Sequence, residues 1–248
     1  MSIDPGCWEK RNLSGRDYIL YCPSGCTQLV LYLHDTAITP HWLEKPWQTM
    51  LEKHSFGCLI PIDKMSWWTN QIRPHEEEST ENWLIQKLLP SVEAELQSFA
   101  LAPVHWALLG NEMGGAGILR IGYKYAQKFH VLAALSPTID AYQLFNDPQF
   151  GLNQLYPNAE ALRQDSPLQW LKPFSTPRYQ WVGTDPLDSF WADGAQRLKT
   201  KLSASGVRAT LDLETTANGH RANYFRKQLP TVGQFLSDSL HQVALSVE

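Results

Sequence analysis

Short apolar runs alternate with longer stretches of helical period along the whole 248-residue chain. "TQLVLYLH" (27 to 34) and "FGCLIPI" (56 to 62) have the composition of buried strands, and "WLEKPWQTMLEKH" between them reads as a crossover helix. "STENWLIQKLLPSVEAELQSF" (79 to 99) opens on capping hydroxyls and carries apolar residues at helical spacing; Pro90 predicts a kink or a split. A strand "VHWALLG" (104 to 110), a helix (114 to 127) and a strand "HVLAALS" (130 to 136) follow. "RYQWVG" (178 to 183) and "RATLDLE" (208 to 214) predict two last strands with a helix between them, and a further helix closes the chain. This alternation implies an α/β class with a mostly parallel central sheet and helices on both faces. The stretch 139 to 176 has no clear period and is expected to be an irregular insertion with short helices, carried by a single domain spanning 1 to 248.

Composition narrows the functions. A 43% hydrophobic content suffices for a full core. With 21 basic against 25 acidic residues there is no footprint for nucleic acid or anionic lipid, so neither is an expected partner. "MSIDPGCWEK" has acids and a proline where a signal peptide needs a basic region and an apolar run, and no later stretch reaches spanning length. The expectation is a soluble, cytoplasmic protein. Cys7, Cys22, Cys26 and Cys58 are too few for a disulfide framework and read as reduced thiols; no second pair at ligand spacing follows Cys22 and Cys26, so neither metal nor other cofactor is expected. Trp67 and Trp68 are singled out as candidate pocket residues, against the commoner role of large hydrophobes in a core. "HEEES" (75 to 79) is expected to be a solvated loop, because three adjacent glutamates cannot converge on one point.

The stretch "LLGNEMGGAGILRIGYKYAQKFHVLAALSP" (108 to 137) carries the chemistry. Gly110 and Gly114 stand two residues either side of Glu112 at a strand-to-helix turn, the spacing of an elbow that projects its apex side chain. "GTDPLD" (183 to 188) then places an acid just past a strand, and "NGHRANYFRKQLP" (218 to 230) places His220 in a turn before the last helix. The order apex, acid, histidine is the order of a hydrolytic triad in which the acid orients the imidazole toward the elbow.

With these motifs the chain resembles the esterase D type of α/β-hydrolase, the branch that includes S-formylglutathione hydrolases, enterochelin esterases and mycolyltransferase-like proteins. The resemblance runs through "LVLYLHD", "PIDKMSWWTN", "LLPSVEAEL", "GNEMGGAGILRIGYKYAQKFHVLAALSP" and "GHRANYFRKQLP". It implies an α/β-hydrolase fold, a catalytic histidine at His220, an acid at Asp185 or Asp188, and an oxyanion hole formed by the backbone N–H groups of Thr36 and Met113. Two positions depart from it. The elbow of that family reads GxSMGG, so Glu112 stands where the serine belongs, and its His-Gly after the first central strand reads His34-Asp35, which puts a negative charge beside the oxyanion loop.

A carboxylate cannot run the ordinary esterase route, because attack on an ester would give a mixed anhydride while expelling an alkoxide. Glutamate is also a methylene longer than the aspartates that open epoxides or displace halide from this position. At a helix N-terminus beside an imidazole it is expected to be held as an anion paired with His220. The preferred reading is a protein of esterase ancestry without serine-dependent hydrolysis, acting as a binding or interaction module for a small ester-like molecule, with self-association left open. Two alternatives stand beside it: an active hydrolase that uses Glu112 as nucleophile or general base, and an ordinary serine esterase carrying an engineered serine-to-glutamate change.

Overall fold

Alternate residues of the central strands divide between two cores. The computed structural model describes residues 6–98 and 105–246. Met1–Pro5 at the start of the chain, Phe99 at the end of the expected helix and Val104 at the start of the expected strand lie outside the described residues. The strands β1 (Trp8–Leu13), β2 (Arg16–Tyr21), β3 (Gln28–Leu33), β4 (Gly57–Pro61), β5 (His105–Asn111), β6 (Val131–Leu135), β7 (Tyr179–Gly183) and β8 (Thr210–Asp212) form one sheet in the order β1-β2-β4-β3-β5-β6-β7-β8. β3 through β8 run parallel, and β2 is antiparallel to both its neighbours.

On one face Leu29, Leu31, Leu33, Leu108, Leu132 and Ala134 pack with the helices α2 (Thr80–Trp83), α3 (Leu89–Ser98), α4 (Met113–Lys124) and α8 (Ala192–Ala204). On the other, Val30, Tyr32, Ala107, Leu109, Val131 and Ala133 pack with α1 (Lys45–His54) and α9 (Arg221–Leu245). This period-two division is what a parallel sheet covered on both faces requires, and it explains why the central strands read as unbroken apolar runs. Among the described residues no helix is long and apolar enough to cross a membrane.

Two local features differ from the expectation. Pro90 interrupts its helix by a change of register and not by a gap: the π-helical turn Leu84–Leu88 separates α2 from α3 directly before it and accommodates a residue with no N–H to donate. The β1–β2 hairpin has no apolar run to announce it. Its signal is the Ser14-Gly15 pair, with φ of 53° and 82°, the two consecutive left-handed residues of a tight hairpin turn. Its strands mix charged and apolar residues at the sheet edge, which hides them from a search for apolar runs.

Between β6 and β7 the chain forms two short 3-10 turns and the helices α5 (Leu152–Leu155), α6 (Ala159–Gln164) and α7 (Pro167–Trp170). The glutamate run is not wholly solvated: Glu76 pairs with Arg16 at 2.7 Å and Arg73 at 2.5 Å, and Asp63 binds the same two arginines at 2.7 Å each.

Candidate active site at the strand-helix elbow

The site is built where β5 passes into α4. Glu112 has φ 49° and ψ −114°, a conformation L-residues rarely adopt, and backbone bonds hold it there. Its N–H donates to Leu135 O at 3.0 Å, and its carbonyl accepts from Ala116 N at 3.0 Å and Thr138 N at 3.1 Å. Both flanking glycines are required by close approach rather than by backbone angle. A Cβ on Gly114 would lie 1.8 Å from Leu33 O, and one on Gly110 2.5 Å from Gly114 O. The glycine spacing seen in the sequence therefore reflects α4 packed tightly across the end of β3.

Because Leu33 pairs with Gly110, the chain segments leaving β3 and β5 emerge side by side. Thr36 lies just beyond β3 and Met113 opens α4, so the two expected oxyanion donors occupy adjacent strand ends. The Asp35 carboxylate is turned onto its own loop, accepting from Thr39 N at 2.9 Å and Thr39 Oγ1 at 2.6 Å. His34 is fully buried beneath this loop. Its Nδ1 lies 2.6 Å from Asp35 O and its Nε2 accepts from Asp63 N at 3.2 Å, which tie the loops after β3 and β4 together; burial holds its pKa down.

The Glu112 carboxylate does not pair with His220. Its partner is Arg221, whose Nη1 donates to Oε2. The Arg221 Nε also lies 3.8 Å from Asp188 Oδ2, and its guanidinium stands over the rings of Phe190 at 5.6 Å and Trp191 at 5.9 Å. Nor is the acid simply held as an anion. Burial, with Asp35 and Asp188 nearby, pushes its pKa up to about 7, against the opposing pull of Arg221. Arg221 is about one third exposed, so solvent screens part of that pull.

Asp185 is wholly buried and works on backbone. Its Oδ2 accepts from Ala217 N at 2.6 Å and Gly219 N at 2.8 Å, and its Oδ1 from Leu187 N at 2.9 Å. Burial raises its pKa, but these donors outweigh it and the net direction is down. The acid thus shapes the loop that carries His220, yet the ring is exposed and its Nδ1 accepts from Asn223 N at 3.4 Å, capping α9. Among the described residues His220 makes no side-chain hydrogen bond to Asp185 or Glu112.

Asp188, the alternative acid, is buried, and its Oδ1 accepts from Phe190 N at 2.9 Å. The structure places both candidate pocket tryptophans in the core. Trp68 packs on Gly117, where a Cβ would lie 2.7 Å from the Trp68 Cβ, while Trp67 donates to Phe150 O at 2.8 Å and lines a small cavity with Arg120 and Tyr142. Arg221 is the residue that sequence reasoning missed. It stands directly after His220, and a cation at a helix start, where its charge is unfavourable, signals a local anionic partner.

No family model and no curated protein matches this sequence. Solved structures match over nearly its whole length. An S-formylglutathione hydrolase from Agrobacterium tumefaciens superposes with a TM-score of 0.75 at 15% identity, covering 94% of each chain. Fluorophosphonate-binding serine hydrolase F of Staphylococcus aureus gives 0.74 at 15% identity, covering 94% of this chain and 99% of its own. A ferulic acid esterase gives 0.72 at 15% identity, covering 94% and 98%. With β2 antiparallel to both its neighbours, its strained elbow and this shared architecture, the chain has the α/β-hydrolase fold found in these hydrolases.

Proposed function

We propose that this chain keeps the esterase architecture without serine-type hydrolysis and works as a binding protein at its elbow site. The observation that carries this reading is the Glu112–Arg221 ion pair: a carboxylate stands at the apex, and the cation directly after the histidine is bound to it. The apex side chain carries no hydroxyl, and His220 spends its Nδ1 on the helix cap. Acyl transfer needs a nucleophile, a base within reach and a free oxyanion position, and a carboxylate at the apex together with an imidazole turned to the surface support a reading without the serine-type pair.

A fluorophosphonate probe and a panel of short activated esters and thioesters test this directly. The chain is expected to stay unlabelled and to leave the panel at background. Stoichiometric labelling, or turnover lost on Glu112→Ser, contradicts it.

A second reading is favoured by the Glu112 carboxyl, whose pKa of about 7 suits a general base for water. In that case Glu112→Gln abolishes a measurable hydrolysis that the parent possesses.

A further inference from the structure

We infer that the elbow site takes a primary ammonium ligand, which displaces the Arg221 head from Glu112 and Asp188 and rests against Phe190. This names the ligand class for the binding role proposed above and rests on that reading. Glu112 and Asp188 bring two carboxyl groups to this end of the sheet, with Asp35 close enough to act on Glu112 while bound to Thr39, and the Arg221 guanidinium answers the first two. Asp188 is only 2% exposed, and among the described residues its Oδ2 has no hydrogen-bond partner. The Arg221 Nε stops 3.8 Å away, within ion-pair range and beyond hydrogen-bond reach. A buried carboxylate oxygen left without a donor is costly, so a cation with freely directed N–H groups is better matched here than the rigid guanidinium fork.

The surroundings specify the rest of the ligand. Phe190 is 64% exposed and Leu187 61% exposed, an apolar rim beside the charged cluster. The Phe190 and Trp191 rings already hold a cation, since Arg221 lies over both. An ammonium carried on an aryl or alkyl body would take over the ring contact and cover the rim. A metal ion is not the better occupant: among the described residues no group of three or more His, Cys, Asp or Glu side chains is placed to hold one.

Arg221 is therefore the internal competitor for the site, and removing it should strengthen binding. Phenethylamine is the probe, with phenethyl alcohol and phenethyl trimethylammonium as controls. Binding is measured by calorimetry on the full chain, with its folding checked by circular dichroism. The amine is expected to bind at least about tenfold tighter than either control. Arg221→Gln should tighten it by about tenfold, the equivalent of one charge-assisted contact that no longer has to be broken. Asp188→Asn, which keeps the Oδ1 acceptor for the Phe190 N–H, should weaken it by a similar factor, as should Glu112→Gln.

Equal binding of amine and alcohol overturns the inference, as does a folded Arg221→Gln variant that binds no better than the parent. The ester panel run on the same preparations keeps the two readings apart. Turnover by the parent refutes the binding-protein reading, whereas absence of both turnover and amine binding refutes only the ligand class.

Discussion

Glu112 and Arg221, 109 positions apart in the chain, meet as an ion pair at the elbow, and Arg221 is the residue directly after the histidine that the triad order singles out. The pair links the start of α4 to the start of α9. It also places a cation at a helix N-terminus, where the macrodipole disfavours it, so the local carboxyl groups must offset that cost.

The Glu112 carboxyl makes stability depend on pH. Its folded pKa is raised from 4.5 to about 7, so between these values the folded state holds the proton more tightly than the unfolded state. Stability is therefore fully supported below about 4.5 and declines as pH rises through 7. Glu112→Gln should remove this decline, leaving the variant about 1–3 kcal/mol more stable than the parent at pH 8 and nearly equal at pH 5. Urea melts across that range decide it. A parent that gains stability between pH 5 and 8 through this residue would show that the Arg221 pair, rather than burial, sets the balance.

Glu112→Ser should create a site that a fluorophosphonate can label, because it removes the Arg221 anchor and places a hydroxyl on the same strained backbone. Hydrolysis should stay well below that of an assembled triad, since His220 has to leave its bond to Asn223 N and turn inward from the surface. Mass spectrometry of the labelled protein checks the first point and ester kinetics the second. Rapid turnover by the single variant would mean that the ring reaches the elbow without cost.

Gly114→Ala should cost about 3–5 kcal/mol or prevent folding, since its Cβ would meet the Leu33 carbonyl and the clash is with backbone that cannot rotate away. Thermal melting measures it. A variant within 1 kcal/mol of the parent, roughly the scale of an ordinary surface change, would mean that α4 does not sit so close to β3.

Asp185→Ala should loosen the loop before His220, because it removes the acceptor for the Ala217, Gly219 and Leu187 N–H groups. The expected loss is about 2–4 kcal/mol, with faster amide exchange confined to that loop and the residues after β7. Its depressed pKa gives stability that is present above the ordinary value of 3.8 and lost as pH falls through the folded value, so the parent should lose this margin in acid and the variant should not. Unchanged exchange at Ala217 and Gly219 would remove Asp185 from this role.

Sequence alone determined the elements that announce themselves locally. The buried parallel strands read as apolar runs because both their faces are covered, and the elbow read as two glycines around an apex because each lies where a Cβ would strike backbone. Chain order also placed Asp185 and His220 after the elbow. Only the tertiary structure decided how these groups are used. Whether Glu112 faces His220 or Arg221 depends on how the first turn of α9 is presented to the elbow, one residue making the difference between an imidazole and a guanidinium. Its protonation follows from burial beside Asp35 and Asp188, which belong to loops far apart in the chain and share no local pattern. Trp67 and Trp68 carry no mark in sequence that separates a pocket wall from a core, because the same large apolar side chain serves both, and only the surrounding atoms place Trp68 wholly inside and Trp67 between the core and a small cavity.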